Sequence, residues 1–584
     1  MKNDDSVSPK DAKRRLSGQG NPDRTTRRDF FRRGFEGAVS IAAMGLGFSS
    51  ARAQTRSPAI AAPAASSPMS LRGLMADAAR VPEDVSYYRR LIDFSREWNL
   101  NSLLFSLTDD QGSALRFRSH PELLTHQHAL TPEEARALAE YGEKRGVEII
   151  PIVESFGHTH YITAVPRYAH LADRPPGGRG NFDGVIPVAP ETLRLMHDLY
   201  QEAAAIFPGR YFHGGCDEVS WGGSELSRKA LETRTRAEIW AGYLNSLDEI
   251  AQGAGKEFIV WGDYVLHKEP QILPLLSKNI VVMDWQYSVT DPQPLEQAAR
   301  RVMAHGLRAI GAPAIISCRW GPRAGADALR NLAAYADAYR SIADARALGV
   351  IVTNWVPSRY IQQSIWDSFA YAAVALSEGG ERARATGFRR FVERHYGARW
   401  NRNWAGIFEK FYYLAPSQPH CAPAGARLLL PIPWRNEAGL KAALAGPPGE
   451  SVAFARLFEM IKEAESSVRR NGEDFRAFEL SATYLEYLFS RDAATRERFR
   501  EGSLTRESAA RWIETVAGRD RQMLGELDAA WNQGRPSDSA AKLGPLFDFG
   551  PGDQLLFTFR QAAQFSAQLA SNPDRFYRMM AGRS

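Results

Sequence analysis

Between residues 71 and 355 the chain alternates eight short apolar or β-branched runs with longer amphipathic stretches. The runs are Leu71–Asp77, Asn101–Leu107, Val147–Ser155, Arg210–Gly215, Glu257–Asp263, Asn279–Trp285, Leu307–Ser317 and Gly349–Trp355. Segments between them, such as TPEEARALAEYGEKRG (131–146), repeat apolar side chains at helical spacing. A helix between two strands returns the chain to the end where the previous strand began, so such strands pair in parallel. Eight units of this kind in about 300 residues predict a closed (β/α)8 TIM barrel over 69–375. The alternative, an open doubly wound sheet, is weakened because no glycine-rich phosphate loop follows the first run. From about residue 376 the strand signals stop. Stretches such as RARATGFRRFVERHYG and SVAFARLFEMIKEAESSVRRNG have helical periodicity and charged faces, so 376–584 is predicted to be a helical C-terminal region.

The first 53 residues read as an export signal. TTRRDFFRRG (25–34) carries the twin arginines Arg27 and Arg28, a short Gly- and Ala-rich apolar stretch follows, and ARAQ (51–54) offers cleavage after Ala53. The apolar stretch contains Glu36 and is shorter than the about 20 residues of a bilayer span. Stable membrane insertion is therefore not expected, and a periplasmic or secreted protein is. Residues 54–68 are an Ala/Pro/Ser linker. The net charge is +6, but the leader alone holds 11 Lys and Arg against 6 Asp and Glu. The remainder is nearly neutral, which argues against a nucleic-acid partner. The three cysteines, Cys216, Cys318 and Cys421, lie far apart and make no zinc or disulfide framework.

On a barrel, chemistry sits at the C-terminal ends of the strands. Those ends carry Asp109 and Asp110, His158 and His160, Asp217 and Glu218, then Trp261, Trp285 and Trp355. Each residue alone has an ordinary structural use: an acid caps the next helix, and a tryptophan packs. Together, carboxylates from early strands and indoles from late ones suit a sugar site. Side chains alternate along a strand, so Asp217 and Glu218 can share one pocket only where the strand breaks. Two carboxylates brought close repel as anions, which raises one pKa.

Four motifs in chain order resemble glycoside hydrolase family 20, the β-N-acetylhexosaminidases. They are RGLMADAAR (72–80), LTDDQG (107–112), IIPIVESFGHTH (149–160) and HGGCDEV (213–219). The cysteine ahead of the acid pair is similar to the hexosaminidase D branch. The resemblance implies exo-acting, retaining hydrolysis of a terminal N-acetylhexosamine from an oligosaccharide or glycoconjugate, with no cofactor. It implies Glu218 as the general acid, Asp217 as the holder of the 2-acetamido N–H, and Arg80 on the ring hydroxyls. It pairs Asp109 with His158 beside the acid, and puts Trp261, Trp285 and Trp355 around the acetamido group. Where many relatives carry a tyrosine after the seventh strand, this chain has Ile315, and Tyr287 is the expected substitute. Where relatives carry an acid after the eighth-strand tryptophan, this chain has Pro357, Ser358 and Arg359, so the sugar at O4 is left open. Two rival readings remain: a glycan-binding barrel without turnover, and a metal-dependent hydrolase using His158, His160 and His213. Cys216 is expected to be a packing residue.

Overall fold

The computed structural model describes residues 69–175, 184–316, 326–414, 434–445, 451–499, 504–536 and 555–582. The leader, the linker, Cys318 and Cys421 lie outside them. Eight strands form one closed parallel barrel: β1 (Leu71–Ala76), β2 (Ser102–Ser106), β3 (Glu148–Ile152), β4 (Tyr211–His213), β5 (Glu257–Trp261), β6 (Val281–Asp284), β7 (Arg308–Gly311) and β8 (Ala347–Asn354). Closure is direct. β8 pairs with β1, Gly349 standing opposite Leu71 and Val352 opposite Leu74. Gly349 has φ +143, and a Cβ there would sit 2.0 Å from the Leu71 carbonyl oxygen, so only glycine closes the ring at this point.

The strand runs are apolar on both faces because both faces are covered. Leu104, Ile259, Val281 and Met283 point into the barrel, where they meet Met75, Ile150, Ile310 and Ile351. Their neighbours Leu103, Phe105, Phe258, Val260 and Val282 point outward to the helices. Each such side chain contributes about 1.5–3 kcal/mol on burial. The helices are α1 (Val85–Glu97), α2 (Pro132–Glu143), α3 (Pro190–Ile206), α4 (Arg236–Gly253), α5 (Pro292–Ala304), α6 (Ala326–Ser341) and α7 (Trp366–Glu378). Thr131 and Thr235 start α2 and α4 with reciprocal capping boxes to Glu134 and Glu238.

Two details differ from the regular β–α alternation expected of the sequence. The fifth strand is followed by a π-helical turn, Asp263–Lys268, and a 3₁₀ segment, Pro270–Leu275, because Pro270 and Pro274 break any longer helix. The run at 307–317 is split into β7 and a short strand, Ala314–Ile316, that also pairs with β8. α7 straddles the expected boundary at 375 and 376. Beyond it, the C-terminal region is helical wherever it is described, with α8 (Gly380–Phe391), α9 (Arg402–Leu414), α10 (Glu437–Ala445), α11 (Ser451–Glu465), α12 (Gly472–Arg498), α13 (Arg506–Trp531), α14 (Leu555–Ser571) and α15 (Pro573–Met580). It is tied to the barrel through Asp474 on α12, which takes Arg90 of α1 at 2.7 Å and, within the C-terminal region, His395 at 2.8 Å. Among the described residues no helix is long and apolar enough to cross a membrane.

Candidate active site

β4 ends at His213, and the five residues that follow are irregular. Gly215 has φ +67, Cys216 +75 and Glu218 +47. This backbone lets consecutive acids turn into one pocket. Gly215 is obligatory on two counts, since a Cβ there would also fall 1.8 Å from Glu154 Oε2. The N–H groups of the turn are held by carboxylates of neighbouring strands. Cys216 N–H donates to Glu154 Oε2 at 3.3 Å and Glu218 N–H to Asp263 Oδ2 at 3.2 Å. Lys268 in turn holds Asp263 Oδ2 at 2.9 Å.

His158, itself at φ +51, links the acids. Its Nε2 lies 3.4 Å from Glu218 Oε2 and 3.8 Å from Asp217 Oδ2. Its Nδ1 bonds Asp110 Oδ2 at 2.8 Å, while Asp109 Oδ2 stands off at 3.7 Å. Asp109 is thus within ion-pair distance of His158 as expected, but the ring's hydrogen bond is to Asp110. The physical reason is that Asp109 is already taken: its Oδ2 holds Arg80 Nη2 at 2.8 Å. Asp110 also accepts the His160 N–H at 3.2 Å, so it is fixed from both oxygens.

The two adjacent acids sit in different surroundings. The Glu218 side chain is 35% exposed, and that of Asp217 11%. Burial, only partly offset by His158, pushes the Asp217 carboxyl up to about 7. Asp217 Oδ1 is buried with no hydrogen-bond partner among the described residues. Such an acceptor is costly unless something donates to it. Burial and the nearby Asp217 also push Glu154 well above the usual carboxylate range. Burial raises Asp109 to about 6 against the pull of Arg80. For His158, burial acts downward, but Asp110 and Asp217 outweigh it and keep the ring protonated well above its ordinary range.

The aromatic residues gather on the other side of the mouth. Trp261 is fully buried and forms part of the barrel interior, and Trp285 and Trp355 pack on that interior layer from above. Trp355 Nε1–H donates to Tyr287 Oη at 2.8 Å, and Tyr287 stacks on Trp285 with ring centroids 5.2 Å apart. Arg80 lies 5.0 Å from the Trp355 ring and is held by Asp77 at 3.0 Å. Asp77 Oδ2 also accepts the Val356 N–H at 2.9 Å. All nine candidates, Arg80, Asp109, His158, Asp217, Glu218, Trp261, Trp285, Tyr287 and Trp355, therefore lie in this one connected constellation at the C-terminal mouth of the barrel. Ile315 is buried in the short strand Ala314–Ile316 that follows β7.

Strand-end reasoning missed Asp77, Glu154 and Asp263, although each stands at the end of a strand run and the rule that picked Asp217 would have found them. The histidine set of a metal hydrolase is not assembled. His213 packs on Trp261 at 4.3 Å and burial holds its pKa down to about 3. The three-ligand groups among the described residues, Asp109–Asp110–His158 and His158–Asp217–Glu218, include neither His160 nor His213. Cys216 is buried and its thiol is pushed well up by that burial, in keeping with a packing residue.

Residues 69–317 match the family model described as glycosyl hydrolase family 20, catalytic domain. Over 246 residues the chain is 28% identical to a β-hexosaminidase of Vibrio furnissii, covering 37% of this chain and 39% of that protein. Over 176 residues it is 27% identical to hexosaminidase D of Bos taurus, covering 29% and 48%. The chain thus spans less than half the length of these curated relatives. A solved GH20 exo-β-N-acetylglucosaminidase from Vibrio harveyi superposes with a TM-score of 0.44 at 22% identity, over 56% of this chain and 58% of that one.

Proposed function

Because residues 69–317, most of the barrel, match the catalytic-domain model of glycosyl hydrolase family 20, we propose that this protein is an exo-acting β-N-acetylhexosaminidase working by substrate-assisted, retaining catalysis. The observation that carries the reading is the division of labour between adjacent acids: Asp217 buried, with an oxygen that has no partner among the described residues, and Glu218 only half-buried at the mouth. Most retaining glycosidases set a carboxylate nucleophile across the sugar from the acid, which two neighbours on one turn cannot do. In the substrate-assisted route the 2-acetamido oxygen attacks the anomeric carbon instead. Asp217 Oδ1 accepts the acetamide N–H, and the carboxylate stabilises the positive charge that grows on the oxazolinium ring. Glu218 protonates the leaving oxygen and then deprotonates the incoming water. His158, held by Asp110, orients Glu218 and carries positive charge beside both acids. Trp285, Trp355 and Tyr287 offer flat faces to the acetamido group and the ring, and Arg80 a cation to the ring hydroxyls.

The twin-arginine leader, with small residues up to Ala53, supports export to the periplasm or beyond, where glycans with terminal N-acetylhexosamine are the substrates. The test is incubation of the protein from Gln54 onward with aryl β-N-acetylglucosaminide and β-N-acetylgalactosaminide, alongside Glu218→Gln. The wild type should release the aryl group and the variant should lose kcat by about 10²–10⁴-fold. No release from either sugar by folded wild-type protein refutes the assignment and leaves a barrel that only binds.

A further inference from the structure

Two loops leave the barrel side by side where β8 closes on β1. One, 77–84, carries Arg80, and the other, 355–365, carries Trp355. Inside the site they are joined by Asp77, whose Oδ2 takes both the Val356 N–H and Arg80 Nη1. A second joint comes from the C-terminal region, at residues 533–535, just past the end of α13. The Arg535 side chain is 1% exposed. Its Nε donates to both carboxylate oxygens of Glu83, at 2.8 and 2.9 Å, and its Nη2 to the Pro357 carbonyl at 2.9 Å. The guanidinium lies 4.0 Å from the ring centroid of Trp531. The backbones join as well. Asp84 N–H donates to the Gly534 carbonyl at 2.9 Å, and the Gln363 side-chain amide donates to the Gln533 carbonyl.

Between the two joints sits Val356, at φ +57. A β-branched residue does not hold left-handed backbone unaided. Its N–H is fixed by Asp77, and the carbonyl of the next residue is fixed by Arg535. Arg535 therefore sits where loss of its bonds frees the Trp355 loop to relax and separates it from the loop of Arg80. Arg535 serves the two loops from two nitrogens held apart by its planar group, Nε on Glu83 and Nη2 on the Pro357 carbonyl; a lysine has one nitrogen, and with it kept on Glu83 the second loop is given up.

We propose that Arg535 is a positioning residue for substrate binding: it clamps the Arg80 loop to the Trp355 loop, so the helical C-terminal region sets the affinity of the sugar site. This rests on the hexosaminidase reading for the identity of the substrate, but the clamp itself does not depend on turnover. The residue touches no reacting atom. Its loss should therefore appear in KM rather than in kcat.

The experiment compares full-length wild type with Arg535→Lys, by steady-state kinetics on an aryl β-N-acetylglucosaminide and by amide hydrogen exchange over 77–84 and 355–365. In Arg535→Lys, KM should rise about tenfold, as for the loss of an aligned charged hydrogen bond, with kcat within about twofold. Exchange should quicken in both loops. If Arg535→Lys does not fold, Arg535→Met with Glu83→Gln leaves no buried charge unpaired and should give the same rise in KM. Unchanged exchange overturns the clamp. Faster exchange with unchanged KM, or a fall in kcat at constant KM, overturns the positioning role. Absence of wild-type turnover fails the hexosaminidase reading instead, while exchange still decides the clamp.

Discussion

Replacing Asp217 with asparagine should make the protein both inactive and more stable, with a pH dependence that identifies the cause. The Asp217 carboxyl is pushed from its ordinary 3.8 up to about 7, by burial and by Asp263 and Glu218, against the attraction of His158. At about 1.4 kcal/mol per pKa unit, the ionised form costs the folded state about 4 kcal/mol relative to the protonated one. The sign follows from proton counting. Between 3.8 and 7 the folded protein binds more protons at this site than the unfolded chain, so wild-type stability falls as pH rises through that window and levels off above it. Asparagine has the shape of the protonated acid and never ionises. The gain of Asp217→Asn should therefore be full above pH 7, smaller at pH 5, and absent near pH 4. For a folded unit of about 500 residues, unfolding entropy of about 2 cal/mol/K per residue gives about 1 kcal/mol per degree. Scanning calorimetry should show Tm raised by about 2–4 °C at pH 8 and by less than about 2 °C at pH 5. Turnover should fall by about 10²–10³-fold, because the anion facing the forming oxazolinium is gone. A variant no more stable at pH 8 than at pH 5, or one that retains turnover within tenfold, would falsify the assignment of a strained, ionised Asp217.

The two neighbouring aspartates should separate kinetically. Asp110→Asn, which removes the anion from His158 Nδ1, should lower kcat by about 10²-fold or more, whereas Asp109→Asn, which loosens Arg80, should act mainly on KM; equal effects of both in kcat would sink the distinction. Tyr287→Phe removes the acceptor of Trp355 Nε1–H and should lower kcat/KM about tenfold through a wall that no longer holds its angle, measured on the same aryl glycoside.

The barrel was legible because a parallel sheet covered on both faces writes continuous apolar runs into the sequence, and the intervening helices write a different period. The acid pair was legible for a related reason: charges placed directly after such a run have nowhere to go but the mouth. Which of two consecutive aspartates meets His158 was not legible. That choice is made by the short antiparallel pairing of Thr108–Asp109 with Gly112–Leu115, which turns Asp109 to Arg80 and Asp110 to the histidine. Nor was Arg535 legible. It stands 452 residues from Glu83, in a polar stretch with no periodicity, and a contact of that separation leaves no local signature.

Backbone strain ties the chemistry to the rest of the fold. Among the described residues six non-glycine residues have positive φ, and four of them, His158, Cys216, Glu218 and Val356, lie at the barrel mouth. Each costs of order 1–3 kcal/mol, so together they form a locally unstable shell that persists only because surrounding groups over-determine it. The fixings are visible one by one. Asp110 holds the His158 ring, Glu154 the Cys216 N–H, Asp263 the Glu218 N–H and Asp77 the Val356 N–H. Every one of these is a carboxylate, and three of the four stand at the end of a barrel strand run. The acids that look surplus to a two-carboxylate mechanism are thus what holds the two working carboxylates, the histidine and the tryptophan loop in conformations the chain would otherwise leave. Burial at the mouth, with Asp263 and Glu218 beside Asp217 and Asp217 itself beside Glu154, is why Asp217 and Glu154 resist ionisation. In this site, the devices that aim the catalytic groups are also the ones that tune their protons.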